Sequence, residues 1–290
     1  MRYLVFVALL LILPFSLMAS PEVITLGILP GGNPQVLEKE SFILAEKLQQ
    51  KIGKPVNIYI SKNYTGMIDA LKNKKIEFAI LSSMTYVVAE EQTEIKVLLK
   101  KTWSNGPFYF SAIVTSAKNK IKKISDLKGK TIAFVDEKST SGYLYPQIAL
   151  QKNKIQTQDF KKVVFSGNHA ASVEMLESGQ VDAIAVFSDD EKGRIGAWDR
   201  FAKSKKFKVR VLWMSEPIPN DPIVVRQDFY DQNAKLTHEI MYSLIEIQND
   251  SGSSSHLSEI LGTSDLMPAT SRQYDPVREV VKSFKTVLKL

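Results

Sequence analysis

Residues 23–52 read VITLGILPGGNPQVLEKESFILAEKLQQKI, and this stretch decides the fold class. A β-favouring run at 23–29 stops at the turn cluster of residues 30–34, and apolar residues then recur at helical spacing over 36–52. Gly53 ends that helix, because glycine is the preferred residue just past a helix C-terminus. The stretch therefore predicts one strand followed by one helix, the repeating unit of an α/β sheet.

The same alternation continues along most of the chain and predicts an α/β fold. Two lobes are expected, the first formed by residues 21–112 and 215–290 and the second by residues 113–214. Extended segments near residues 109–115 and 209–215 are expected to join them, with a ligand-binding cleft between the lobes. After the first unit, the predicted strands are residues 55–60, 78–81, 95–101, 108–115, 131–135, 162–165, 181–187 and 207–214, and the predicted helices are residues 64–73, 84–92, 141–152, 170–178, 232–247 and 276–288.

The composition excludes several classes of protein. The chain has 290 residues, enough for one large or two ordinary domains, and it has no cysteine. A disulfide scaffold, a thiolate zinc site and a cysteine nucleophile are therefore excluded. Its 38 Lys and Arg residues exceed its 31 Asp and Glu residues by seven, a mild excess that is spread along the chain and does not favour nucleic acid as a partner.

Residues 1–20 are predicted to be a cleavable signal peptide. Arg2 supplies a positive charge, residues 4–17 are apolar, and the small residues Ala19 and Ser20 offer a cleavage site. The alternative is an uncleaved membrane anchor, but Pro14 interrupts the run, which is shorter than the roughly 20 residues that span a bilayer. We therefore expect the mature chain to act in the periplasm.

A candidate anion site lies where the predicted strand at 131–135 passes into a helix. Ser139, Thr140 and Ser141 stand at the helix start, followed by Gly142. The first backbone N–H groups of a helix have no partner within the helix, and the helix dipole places partial positive charge there. With three hydroxyl donors, these groups suit a tetrahedral oxyanion. The alternative is ordinary N-capping, for which one of the three hydroxyls would suffice.

Other candidate ligand-binding residues stand at the ends of predicted elements. His169 follows the predicted N-cap Asn168 and could donate a hydrogen bond to an anion, although an exposed turn histidine would give the same pattern. Asp189 and Asp221 follow strands and could accept from a ligand, but an aspartate before a proline also forms turns. Tyr64 and Tyr109 each offer one phenol donor, and either could instead be structural.

A periplasmic serine hydrolase is the less favoured alternative, because Ser139 or Ser141 with His169 and Asp221 would supply the residue types of a catalytic triad. The sequence contains no Gly-x-Ser-x-Gly motif and no Walker or dinucleotide-binding glycine pattern. The three histidines lack metal-ligand spacing. We therefore expect no enzymatic activity, no metal and no cofactor.

Taken together, seven segments of the chain resemble the phosphate/phosphonate-binding family of periplasmic solute-binding proteins of ABC importers. The resemblance implies a type II periplasmic-binding-protein fold. It also implies that Ser139, Thr140 and Ser141 grip the oxyanion, with Tyr64 and Tyr109 lining the cleft. His169 would donate to the anion, Asp221 would accept from it, and Asp189 would hold the ammonium group of an aminophosphonate. The segments are Gly27-Ile28-Leu29-Pro30 with Asn33-Pro34, Asn63-Tyr64-Thr65-Gly66, residues 126–130, residues 139–143, Gly167-Asn168-His169, residues 218–222 and residues 268–278.

The expected function is capture of a small phosphorus oxyanion (phosphonate, phosphite or phosphate) by hinge closure and its delivery to an ABC permease in the inner membrane. The chain departs from the family pattern around Asp189, where residues 186–189 are more apolar than expected. A monomer is expected, since one binding protein docks on one permease. The alternative is a sensor with the same lobes that signals to a membrane kinase.

Overall fold

The computed structural model describes residues 23–31, 34–103, 106–249 and 265–288, with side chains to residue 285. The predicted signal peptide, residues 1–20, lies outside the described residues. The strands are β1 (Ile24–Ile28), β2 (Val56–Ile60), β3 (Phe78–Ile80), β4 (Ile95–Thr102), β5 (Phe108–Ser116), β6 (Thr131–Phe134), β7 (Lys162–Phe165), β8 (Ala183–Ser188), β9 (Val209–Met214), β10 (Ile218–Pro219), β11 (Pro222–Arg226) and β12 (Asp265–Pro268).

Most of the described helices match ones that the sequence predicts, but the short helices at 197–201 and 227–232 were not predicted. The helices are α1 (Pro34–Ile52), α2 (Tyr64–Lys72), α3 (Ser83–Glu90), α4 (Tyr145–Lys152), α5 (His169–Glu177), α6 (Ala197–Phe201), α7 (Gln227–Gln232), α8 (Ala234–Asn249) and α9 (Asp275–Leu288). A π-helical turn, Thr140–Leu144, leads into α4. Within the described ranges, the structure contains no helix that is both long and apolar enough to cross a membrane.

The first sheet has the strand order β12-β4-β11-β3-β1-β2. β1 pairs in parallel with β2 and β3, as expected of strands joined through helices. β11 enters from the far end of the chain and pairs antiparallel with both β3 and β4. β11 was not predicted from the sequence, although it lies in the middle of this sheet.

The second sheet has the order β10-β5-β8-β6-β7, and β9 also pairs with β5. β6 pairs in parallel with β7 and β8, whereas β5 pairs antiparallel with β8 and β9. The α/β class and the two-sheet arrangement predicted from the sequence are confirmed.

The hinge segments predicted near residues 109–115 and 209–215 are not separate connectors. They form β5 and β9, which lie side by side in the second sheet with Ala112 opposite Met214. Antiparallel pairing satisfies their backbone groups, and an extended apolar run looks the same in a sheet as in a connector. β4 of the first sheet ends at Thr102 and β5 of the second begins at Phe108, while β10 of the second sheet ends at Pro219 and β11 of the first begins at Pro222. We propose these two connections as the crossover segments; the lobe boundaries at 112 and 214 stay a prediction.

Alternating side chains place a core on each face of the first sheet. Phe78 and Ile80 of β3 pack with α1 and α8, while Ala79 between them packs on the side of α2, α3 and α9. The core on the side of α2, α3 and α9 extends to Tyr109 of β5 and Tyr145 of α4, which belong to the second sheet and its helices. The two lobes are therefore in apolar contact, and that contact lies beside the candidate site.

Candidate functional site

The N-termini of four helical segments lie near the space between the two sheets. α2, α3, the π-helical turn and α5 begin at Tyr64, Ser83, Thr140 and His169. In each case the preceding side chain caps the helix by accepting a backbone N–H, at 2.8 Å for Asn63, 3.2 Å for Ser82, 3.1 Å for Ser139 and 2.8 Å for Asn168. The positive ends of four helix dipoles therefore lie on this part of the molecule.

Ser139, Thr140 and Ser141 are all buried, and contacts from both lobes hold their turn in place. The Thr140 hydroxyl oxygen accepts a hydrogen bond of 2.8 Å from the backbone N–H of Met84, at the start of α3. The Ser141 carbonyl accepts one of 2.7 Å from the Ser111 hydroxyl of β5. The helix predicted to begin at Ser141 begins instead with a π-helical turn at Thr140.

Gly142 allows this turn to lie against β6. A Cβ atom at Gly142 would lie 2.5 Å from the Val135 Cβ and 2.8 Å from the Ser139 Oγ. The Gly142 carbonyl also accepts a hydrogen bond of 3.1 Å from the Val135 N–H. The close approach that the glycine permits therefore sets the position of the Ser139 hydroxyl.

Two buried phenols adjoin this turn. Burial raises the pKa of Tyr64 and of Tyr109 well above that of a free phenol, and the Asp221 carboxylate raises both further. Hydrogen bonds to Ser139 for Tyr64 and to Thr140 for Tyr109 act in the opposite direction. Both phenols therefore stay protonated and can donate. The structure brings five of the predicted residues together: Tyr64, Tyr109, Ser139, Thr140 and Asp221.

Asp221 lies at the second crossover and forms an ion pair with Lys101 at the end of β4, with 3.1 Å between Nζ and Oδ2. Both side chains are largely buried. The preceding residue, Asn220, is buried as well, and its carbonyl accepts a hydrogen bond of 2.7 Å from the Tyr274 hydroxyl. Its side-chain nitrogen has no hydrogen-bond partner within the described residues.

His169 is half-buried at the start of α5, and its ring packs edge-on against Phe187 with 4.9 Å between centroids. Burial, together with the positive charges of Arg200 and Lys101, lowers the pKa of the imidazole to about 3. The ring is therefore neutral near pH 7. Its Nδ1 atom is buried and has no hydrogen-bond partner in the described part of the chain.

Asp189 follows β8 directly. Its carboxylate pairs with the Arg200 guanidinium of α6, with 2.9 Å between Oδ1 and Nη2. The guanidinium stacks over the Trp103 ring at 4.2 Å and over the Phe187 ring at 5.0 Å. The structure thus places a cation of the chain itself against the carboxylate expected to hold a ligand ammonium group.

Sequence reasoning missed Lys101, Trp103, Arg200 and the backbone of Met84. None belongs to a local motif, and the partners that reveal their roles are distant in the chain, such as Asp221 for Lys101 and Thr140 for Met84. The one usable sequence signal was the position of Lys101 at the end of a strand and of Trp103 just beyond it.

Comparisons with known proteins show which family and which relatives the chain is similar to. Residues 26–274 match the model of a family described as "ABC transporter, phosphonate, periplasmic substrate-binding protein". The chain is 24% identical over 265 residues to the phosphonates-binding periplasmic protein of Escherichia coli strain K12, covering 89% of this chain and 76% of the relative. It is 22% identical over 281 residues to a probable ABC transporter phosphite-binding protein, PhnD1 of Prochlorococcus marinus MIT 9301, covering 93% and 92%.

The solved structure of the Prochlorococcus protein in complex with methylphosphonate superimposes on this chain with a TM-score of 0.78 at 20% identity, covering 92% of this chain and 99% of that chain. A binding-protein component of a Pseudomonas aeruginosa ABC phosphonate transporter gives 0.79 at 21% identity, covering 93% and 88%. At these identities the likeness shows the fold. The type II periplasmic-binding-protein fold predicted from the sequence is therefore confirmed.

Proposed function

The chain belongs to the family of periplasmic substrate-binding proteins of phosphonate ABC transporters, and from this membership we propose that it binds a small phosphorus oxyanion between its two lobes. The family and the function in transport agree with those expected from the sequence. Members act in the periplasm and pass their ligand to a membrane permease. For this chain we propose phosphonate, phosphite or phosphate as the ligand.

One observation carries the proposal: buried neutral donors and helix N-termini meet at a single turn. The hydroxyls of Ser139, Thr140, Tyr64 and Tyr109 belong to this cluster, and the N-terminus of α3 reaches it through Met84. A tetrahedral oxyanion has several acceptor oxygens and needs several donors at once. Hydrogen bonds to a charged acceptor are stronger than neutral ones, and more so away from water. This arrangement supports roles in oxyanion binding for all four residues and for Ser141.

The relatives support the ligand class. The Escherichia coli relative is named for phosphonates, and the Prochlorococcus relative is named for phosphite and has been solved with methylphosphonate. Both ligand types share a tetrahedral phosphorus with anionic oxygens. We propose that His169 and Asp221 complete the site in this chain, His169 as a neutral donor and Asp221 as an acceptor.

We propose that binding closes the two lobes. Three hydrogen bonds already cross between α3 and the turn at residues 138–140: Met84 N–H to Thr140, Thr85 hydroxyl to the Lys138 carbonyl at 3.1 Å, and Ser82 hydroxyl to the same carbonyl at 3.4 Å. A ligand held by both sides would favour this closed arrangement over an open one. A permease could then distinguish loaded from empty protein.

We propose no enzymatic activity. A catalytic triad needs a carboxylate that orients the histidine through Nδ1, but the Nδ1 atom of His169 has no hydrogen-bond partner among the described residues. Asp221, the acid expected for such a triad, is instead paired with Lys101. We also propose that the chain is secreted by cleavage near residue 20 and acts as a monomer. No observation favours a sensor over a transport component.

The test is a thermal-shift and calorimetric titration of the chain from residue 21 onward with phosphate, phosphite, methylphosphonate, 2-aminoethylphosphonate and sulfate. We expect at least one phosphorus oxyanion to raise the melting temperature, because it binds only the folded state, and sulfate to raise it less. Ser139→Ala should weaken that binding by about tenfold or more, since it removes a donor to a charged ligand.

Ser283→Ala is the matched control, because the Ser283 side chain is exposed and its hydroxyl bonds along its own helix, to the Glu279 carbonyl at 2.8 Å. It should bind the ligand as the unmodified chain does. Loss of the Ser139 cap costs about 1 kcal/mol of stability, so folding of the variant is checked by circular dichroism. The proposal fails if no phosphorus oxyanion shifts the melting temperature, or if folded Ser139→Ala binds with unchanged affinity.

A further inference from the structure

We propose that Arg200 restricts this site to phosphorus oxyanions that carry no ammonium group, because it occupies the carboxylate of Asp189. The inference rests on the proposed function and deepens it by naming the ligand class. Methylphosphonate, phosphite and phosphate belong to the accepted class, and aminoalkylphosphonates belong to the excluded one.

The ion pair is built into the second lobe. Asp189 follows β8 and Arg200 belongs to α6, and their side chains are 13% and 26% exposed. The Asp189 backbone N–H is itself fixed by the Ile195 carbonyl at 2.9 Å. Burial raises the pKa of the carboxyl, whereas the adjacent guanidinium lowers it and so favours the charged form. Each charge of the ion pair thus offsets the free-energy cost of burying the other charge.

Two aromatic rings hold the guanidinium. Phe187 lies near the end of β8, two residues before Asp189, and Trp103 lies just beyond the end of β4, on the crossover from the first sheet. Arg200 stacks over both, at 5.0 and 4.2 Å. Stacking of this kind stabilises a planar guanidinium more than a flexible ammonium. The cation is therefore held from both sides of the cleft.

Arg200 lies at the His169 end of the candidate site. The Phe187 ring contacts His169 on one side and Arg200 on another, and the Arg200 charge lowers the pKa of the imidazole. Lys101 acts on the same imidazole and pairs with Asp221. Both carboxylates predicted to contact the ligand are thus paired with cations of the chain.

A ligand ammonium group at this end would meet Arg200 and Lys101. To reach Asp189 it would have to displace the guanidinium, which cannot lose its proton and would be left buried without its partner. A methyl group, a hydrogen atom or a hydroxyl on phosphorus meets no such repulsion. The Asp189–Arg200 ion pair therefore gives specificity by disfavouring aminoalkylphosphonates, whose ammonium group Arg200 repels.

The experiment compares methylphosphonate with 2-aminoethylphosphonate by calorimetry on the unmodified chain and on Arg200→Gln. The unmodified chain should prefer methylphosphonate by about tenfold or more. Arg200→Gln removes the cation and releases Asp189, so the ratio of the two affinities should move by about tenfold or more toward the amino compound. Arg200→Lys, which keeps a positive charge, should retain the original preference.

Arg194→Gln is the matched control, because Arg194 pairs with Asp190 in the same loop at 3.4 Å but is exposed. It should leave the ratio unchanged. Asp189→Asn added to Arg200→Gln should abolish the gain for the amino compound, which separates release of the carboxylate from a general loosening of the fold.

Equal affinity of the unmodified chain for both compounds would overturn this inference alone, as would an unchanged ratio in a folded Arg200→Gln variant. Failure of every phosphorus oxyanion to bind the unmodified chain would instead contradict the proposed function, and the inference with it.

Discussion

Single side chains at this site are kept neutral by their surroundings. Tyr64 and Tyr109 remain protonated because burial opposes formation of a phenolate, and His169 remains unprotonated because burial and two neighbouring cations oppose an imidazolium. Neutral hydrogen-bond donors can bind an anion without giving up a proton to it or taking one from it. The ion pairs Lys101–Asp221 and Arg200–Asp189 add no net charge.

The shifted pKa of His169 predicts a pH dependence of stability. The imidazole binds a proton near pH 6.5 in the unfolded chain but only near pH 3 in the folded one. Between these values the unfolded state holds more protons, so the ligand-free protein should lose stability as the pH falls from 6.5, by at most about 1.4 kcal/mol per pH unit. His169→Gln should reduce this loss between pH 6.5 and 4.5, measured by urea unfolding.

The control is His238→Gln, because His238 is exposed on α8. It should leave the pH dependence as in the unmodified chain. The buried neutral state of His169 is contradicted if His169→Gln and the unmodified chain lose stability in parallel over this range.

At the level of elements, the site depends on how helices begin. The sequence predicted the helix starts near Tyr64 and His169 correctly and placed residues 139–141 at the start of a helix, because capping residues are local signals. It did not predict the π-helical turn at Thr140–Leu144, which depends on the packing of Gly142 against Val135. A packing contact between a turn and a strand is not visible in a local pattern.

Gly142→Ala tests that packing. The added methyl group would overlap Val135, whose Cβ would be 2.5 Å away, so the turn must move off β6. We expect a loss of about 1–3 kcal/mol in the free energy of unfolding. Ligand affinity should fall with it, because Ser139 moves too. Denaturant unfolding and calorimetry measure the two effects.

Gly31→Ala provides the comparison, since among the described residues a Cβ there would have only the Leu29 carbonyl oxygen within contact range, at 3.9 Å. Its unfolding free energy should stay close to that of the unmodified chain. If Gly142→Ala is as stable and binds as tightly as Gly31→Ala, then the close approach does not position the site.

In the whole molecule, the hydrogen bonds between α3 and the turn at residues 138–140 connect the two lobes directly. Thr85→Val removes the Thr85 donor to the Lys138 carbonyl and keeps the shape of the side chain. In the proposed closure this hydrogen bond forms only when the lobes meet. We therefore expect the binding free energy to weaken by the net contribution of one hydrogen bond, about 0.5–1.5 kcal/mol. Calorimetry measures the affinity, and small-angle X-ray scattering compares the radius of gyration with and without ligand.

Thr237→Val is the matched control, because Thr237 is fully buried in α8 and its hydroxyl has no hydrogen-bond partner among the described residues. It should bind and contract like the unmodified chain. The closure mechanism fails if ligand leaves the radius of gyration of the unmodified chain unchanged, or if Thr85→Val binds as tightly as Thr237→Val.

The sequence alone determined the α/β class, the order of most strands and helices and the capped helix starts, because periodicity and capping are properties of neighbouring residues. Only the tertiary structure decided that β11 enters the first sheet between β3 and β4 and that β5 and β9 pair. It also decided that Asp189 faces Arg200 and Asp221 faces Lys101. The Lys101–Asp221 contact joins residues 120 positions apart. Such contacts depend on how the whole chain buries its apolar surface, and so no local pattern encodes them.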